Sequence, residues 1–151
     1  MCHRAPHSAT TGTPEQRERW RSIVERRQLG ELANDTKWDE FLNAMRELPE
    51  WRPKFRFRCI DESKGESCEW DREWYYHLPF PLMSLEWIDL FTQEEVIEHR
   101  LPRRITIVDH TNELTAFLDR IGLDYRVGEQ MIRVFGYSPR SLEYFDVLQP
   151  L

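Results

Sequence analysis

An α+β fold, with an antiparallel sheet of about four or five strands and two or three helices on one face, is what this 151-residue chain predicts. Three observations carry that expectation. Trp38, Phe41, Leu42, Met45 and Leu48 recur at helical spacing; Lys54 to Ile60 alternates charged and apolar residues; and a capped helical stretch from Thr111 runs into two short apolar runs separated by Gly128-Glu129.

Residues 1–12 lack any apolar period and are rich in small and turn-forming residues, which predicts a flexible N-terminus ahead of one domain over 13–151. Thr13, Pro14 and Gln16 then supply an N-cap, a first-turn proline and the distal half of a capping box, with Gly30 suited to the stop. The apolar stripe of this helix, Trp20, Ile23 and Val24, is thin, so 13–30 reads as a peripheral helix. The second helix takes Thr36 and Asp39 as an approximate capping box and ends at Pro49.

In the strand over 54–60, Phe55, Phe57 and Cys59 share one face and Lys54, Arg56 and Arg58 the other, the pattern of a half-buried strand. A loop around Ser63-Lys64-Gly65 leads to an expected second strand over Trp74–Leu78, Pro79 and Pro81 interrupt, and Met83–Leu90 reads as a third strand. Glu94–His99 suggests a helical turn and Ile105–Val108 an extended segment. Thr111 caps a third helix bearing Leu114, Phe117, Leu118 and Ile121, stopped by Gly122. Tyr125–Val127 and Met131–Phe135 form a hairpin, after which Gly136 marks a turn or a close approach.

Size and composition narrow the function. A chain of this length buries about two-thirds of its unfolded surface and folds without staples. Cys2, Cys59 and Cys68 form no C-x-x-C pair, and no apolar run reaches the roughly 18 residues of a membrane helix, so a cytoplasmic protein without a membrane partner is expected. The net charge of −6 disfavours nucleic acid, whose binding relies on clustered Lys and Arg, and favours a basic protein partner.

Chemistry-bearing motifs are absent. Cys59, Cys68, His77, His99 and His110 are not spaced as zinc ligands; Cys59, His77 and Asp109 can be written as a triad but no nucleophile elbow accompanies them; and no phosphate-binding glycine motif occurs. No catalytic residue, metal or cofactor is therefore assigned. The most polar concentration is Asp61, Glu62, Glu66, Glu69, Asp71 and Glu73, interleaved with Trp70 and Trp74. Carboxylates beside aromatic anchors suit docking on a basic surface, where charge speeds encounter and the indoles supply desolvated area.

Four segments also share an order: Asn34-Asp35-Thr36-Lys37-Trp38, Leu85-Glu86-Trp87-Ile88-Asp89, Ile107-Val108-Asp109-His110-Thr111-Asn112-Glu113 with Leu118, and Arg133-Val134-Phe135-Gly136-Tyr137. In this the chain resembles a family of small bacterial proteins of unknown function whose members carry N-T-K-W, I-E-W-I, I-x-D-x-T-E and I-Y-G-Y. Asp35 and Asn112 are insertions here, and Phe135 replaces the first tyrosine. The resemblance spans 34–137 as a family-like core. It implies a non-enzymatic immunity-type protein that neutralises a cognate toxin domain by occluding its active site; the alternative is a small regulatory or adaptor module that binds some other protein. Glu86, between two large apolar neighbours, is expected either in an ion pair with Arg56 or Arg58 or inside a cleft.

Overall fold

The computed structural model describes residues 12–61 and 69–148, and the expectation for the N-terminus lies, but for Gly12, outside them. Within the described residues three α-helices accompany eight short strands in antiparallel sheets. They are α1 (Pro14–Arg27), β1 (Gly30–Glu31), α2 (Asp35–Arg46), β2 (Phe55–Cys59), β3 (Leu85–Phe91), β4 (Gln93–Glu98), β5 (Arg104–Asp109), α3 (Thr111–Ile121), β6 (Tyr125–Val127), β7 (Met131–Phe135) and β8 (Tyr137–Ser138).

The central sheet has the order β2-β3-β7-β6. Its register places Phe57, Ile88, Val134 and Tyr125 in one cross-strand row and Phe55, Leu90, Ile132 and Val127 in the next. Both rows lie on one face, because side chains two apart along a strand share a side. Trp38, Phe41, Leu42 and Met45 of α2 and Leu114 and Leu118 of α3 pack against them to form the main core. The fold class read from the sequence is thus the observed one.

Local chemistry starts and ends the helices. Thr13 and Gln16 form the full capping box, with Gln16 N–H donating to Thr13 Oγ1 and Thr13 N–H to Gln16 Oε1. The stop is not Gly30 but Gln28, which takes the left-handed conformation. Gly30 lies instead in β1, where a Cβ would stand 2.5 Å from Ser138 Oγ across the β1–β8 pair, so that hydroxyl would have to turn aside. Asn34, rather than Thr36, caps α2 by accepting the Lys37 N–H at 2.9 Å. Thr111 does not cap α3 as expected: it is the first helical residue, after His110 at the cap position, its N–H and hydroxyl both donate to Asp109, and the helix ends on Gly122 at φ 83°. Trp20 and Ile23 of α1 join Ile60 and Tyr137 in a second, smaller core.

Two expected elements differ. No strand forms over 74–78, because the Glu73 carboxylate takes the N–H groups of Tyr75, Tyr76 and His77 and turns the chain there. Among the described residues between β2 and β3, Asp71 alone bridges to β2, exchanging both backbone bonds with Phe55. The segment Gln93–Glu98 is a strand, not a helical turn, since its antiparallel ladder with β5 over six residue pairs outweighs the local preference of its glutamates.

The β4–β5 ribbon is separate from the central sheet. Its tip carries Leu101 at 95% exposure, and Ile97, Ile105 and Ile107 are all exposed. Its root is fixed by His110, which is stacked on Trp51 at 4.0 Å and bonded to Glu94 and Glu113 at 2.8 Å each.

Candidate functional site

The structure divides the expected partner-binding set. Glu62 and Glu66 lie outside the described residues. Asp61 accepts a hydrogen bond from Arg19 on α1 at 2.8 Å. Glu69 is exposed. Trp70 is half-buried, donating its indole N–H to Leu148 O and stacking under the Arg56 guanidinium at 4.6 Å. Trp74 is a core residue at 1% exposure, with its N–H on Pro53 O and its ring tilted against Phe55. The outward-facing group of this loop is therefore Glu69, Arg72 and His77, the rims of Asp71 and Glu73, and the pair Tyr75 and Tyr76.

Those tyrosines were assigned to a strand by sequence, whereas Glu73 holds them on a turn. Tyr76 is 88% exposed, and Tyr75 stacks on the Arg46 guanidinium at 4.6 Å. A glutamate placed two, three and four residues before open N–H groups was the signal for this geometry. Desolvation works against ionisation of Asp71, yet the Glu73 N–H and His77 hold its carboxyl below the usual carboxylate range. Glu73 sits low for the same reason, its slight desolvation outweighed by the N–H groups of Tyr76, Tyr75 and His77. The turn therefore presents exposed aromatic rings beside carboxylates kept charged.

Beside it opens a cleft of about 730 Å³, lined by Trp51, Arg52, Lys54, Arg72, Glu94, Glu95 and neighbouring residues. Arg72 connects the cleft to the turn, and Glu95 and Ile97 connect it to the ribbon. The walls carry both signs of charge.

Charge of another kind lies beneath the sheet. The face opposite the helices carries Arg56, Asp89, Arg133 and Arg126 in one cross-strand row. Asp89 accepts from Arg56 Nε at 2.8 Å and from Arg133 Nε and Nη2 at 2.7 and 3.0 Å. Burial pushes the Asp89 carboxyl above its ordinary range, and the two guanidiniums limit that rise. Two cations on one anion leave surplus donors, which the C-terminal segment absorbs: Ser141 O and Glu143 O accept from Arg133, and Tyr144 O and Val147 O from Arg56. This covering makes β2 fully buried at Arg56 rather than half-buried as expected. Glu86 pairs with Arg27 of α1 at 2.7 Å, with Arg58 at 3.7 Å; the alternative expected partner, Arg56, is committed to Asp89.

Cys59, His77 and Asp109 do not come together as a triad; each has another partner. His77 is bonded to Asp71, Asp109 to Thr111, and Cys59 Sγ lies 3.9 Å from Ser84 Oγ. Among the described residues no three of His, Cys, Asp and Glu are grouped to hold a metal ion, and no helix is long and apolar enough to cross a membrane. Cys68, a further residue of the imagined zinc set, lies outside the described residues.

A family model described as "Family of unknown function (DUF6678)" matches residues 20–141, from within α1 to the start of the C-terminal covering segment. No curated protein and no solved structure matches the chain.

Proposed function

The chain belongs to the DUF6678 family, a family of unknown function, and we propose that it is a non-enzymatic, immunity-type protein that binds and neutralises a cognate bacterial toxin domain. The observation that carries this reading is the Glu73 turn, where an 88%-exposed tyrosine stands beside carboxylates held in their charged form. A tyrosine supplies a large, rigid contact at low entropic cost, and interfaces are enriched in it. The carboxylates steer and orient a basic partner. Against a toxin that acts on a polyanion, they would stand where the substrate's phosphates bind, and the body behind them would block access.

The mixed-sign cleft beside the turn supports the alternative, a regulatory or adaptor module whose partner carries both charges. The two readings separate by experiment. The tagged chain is used to capture a partner at low and at high salt from its native cell, with Glu69→Lys and Tyr76→Ala as surface variants. One basic partner, retained near one-to-one by the wild type, released by salt and lost by both variants, supports the immunity reading. A partner insensitive to salt and to both substitutions counts against it, and a captured partner that is harmless when expressed without this chain favours the adaptor.

A further inference from the structure

We infer that β5 pairs edge to edge with β5 of a second copy of this chain, antiparallel about a two-fold axis at Thr106. The β4–β5 ribbon has only two strands, and among the described residues neither outer edge is joined to another strand. Every residue of β5 is exposed. A two-stranded ribbon is marginal in water, and an open edge with a hydrophobic face is a template for a further strand.

The sequence of β5 selects both the edge and the occupant. Along β4, Glu94, Glu95 and Glu98 would bring carboxylates together in a symmetric pair. Around Thr106, by contrast, an antiparallel two-fold sets Arg103 opposite Asp109, Arg104 opposite Val108 and Ile105 opposite Ile107, each twice, with Thr106 opposite itself. Opposed side chains must share a face, so the register can shift only in steps that move the axis to Ile105 or Ile107. Either shift separates Arg103 from Asp109, and only the Thr106 axis is complementary in charge.

The observed pairing fixes the rest. Ile97 opposes Ile105 and Glu95 opposes Ile107, so these four lie on one face of the ribbon. Joining two ribbons at β5 places the isoleucines of both copies side by side on one four-stranded face. Cross-strand contact between Ile105 and Ile107 of the other copy then covers surface that is 63% and 52% exposed in the single chain.

The test uses the full chain with Cys2→Ser, Cys59→Ser and Cys68→Ser, into which one cysteine is introduced at Thr106 or at Leu101. The two Thr106 positions meet at the axis, within the roughly 4.5–5.5 Å that a disulfide spans. The two Leu101 positions fall roughly 30 Å apart by strand spacing, although Leu101 is the more exposed residue. Under mild oxidant Thr106→Cys is expected to cross-link at least about ten-fold faster than Leu101→Cys, whose cross-linking reports random collision. Sedimentation of the unmodified chain should show a two-chain species that Ile105→Lys with Ile107→Lys converts to one chain. Faster cross-linking through Leu101→Cys, failure of Thr106→Cys to cross-link, or a single-chain species at every concentration overturns the inference.

Discussion

Asp89 and Arg133 face each other across β3 and β7, joined by two hydrogen bonds of 2.7 and 3.0 Å, and neither side chain reaches solvent. Arg133 also lies over the Trp87 ring at 3.6 Å, so its guanidinium is enclosed by the carboxylate, the indole and the carbonyls of Ser141 and Glu143.

Removing the anion leaves two buried cations. Asp89→Asn is expected to destabilise the fold by about 3–5 kcal/mol, the cost of a broken buried pair, and to lower Tm by on the order of 10 °C for a chain of this size. The simultaneous change of Arg56→Met, Asp89→Leu and Arg133→Met removes the charges together and should recover most of that loss. Thermal unfolding of the two variants checks this; an Asp89→Asn protein that melts with the wild type would contradict the role assigned to the row.

The helices and the central strands were legible because periodicity reports which face is buried, and it did so at Trp38, Phe41 and Met45 and at Phe55 and Phe57. What the sequence withheld was what covers the other face. Arg56 read as a surface residue, since nothing local says that residues 141–148 return to cap it and Arg133. The strand Gln93–Glu98 was hidden for a related reason: its ladder partner lies across a turn, and its glutamates do not look like a sheet. Of the expected docking residues, composition located the loop but could not separate Trp74, which packs inward, from Tyr76, which points out. Only the Glu73 hydrogen bonds make that distinction.

Gly136 sits where two backbones nearly touch. Its N–H donates to Glu86 O and its carbonyl accepts from Leu32, while a Cβ would stand 2.1 Å from Leu85 O. That neighbour is backbone and cannot rotate away. Gly136→Ala should therefore cost about 1–3 kcal/mol or more by overpacking, read from the urea midpoint at unchanged slope. A neutral effect would show that β3 can shift at no cost.

Gln28 ends α1 at φ 55°, a conformation that side chains resist and glycine does not. Gln28→Gly is expected to stabilise the chain by about 0.5–1 kcal/mol, raising Tm by a few degrees. A lower Tm in this variant would mean that the glutamine side chain contributes more than its backbone strain costs.

His110 gives the fold a pH dependence whose sign follows from its partners. Partial burial opposes its protonation, but hydrogen bonds and charge from Glu113 on α3 and Glu94 on β4 raise its pKa above the ordinary value. The folded chain then holds this proton more tightly than the unfolded chain does. The resulting stabilisation is fully present below the unfolded histidine value of about 6.5 and is lost as pH climbs through the raised folded value. Stacked on Trp51, the imidazolium also gains from the ring's negative face, so the ribbon root, the Trp51 loop and α3 are held together most firmly in the charged state. Melting temperature should accordingly fall from about pH 6 to about pH 8, with a shallower slope in His110→Gln and in Glu94→Gln. A slope that survives His110→Gln unchanged would assign the dependence to another group, whereas a flattened slope with an otherwise intact spectrum places the proton on His110.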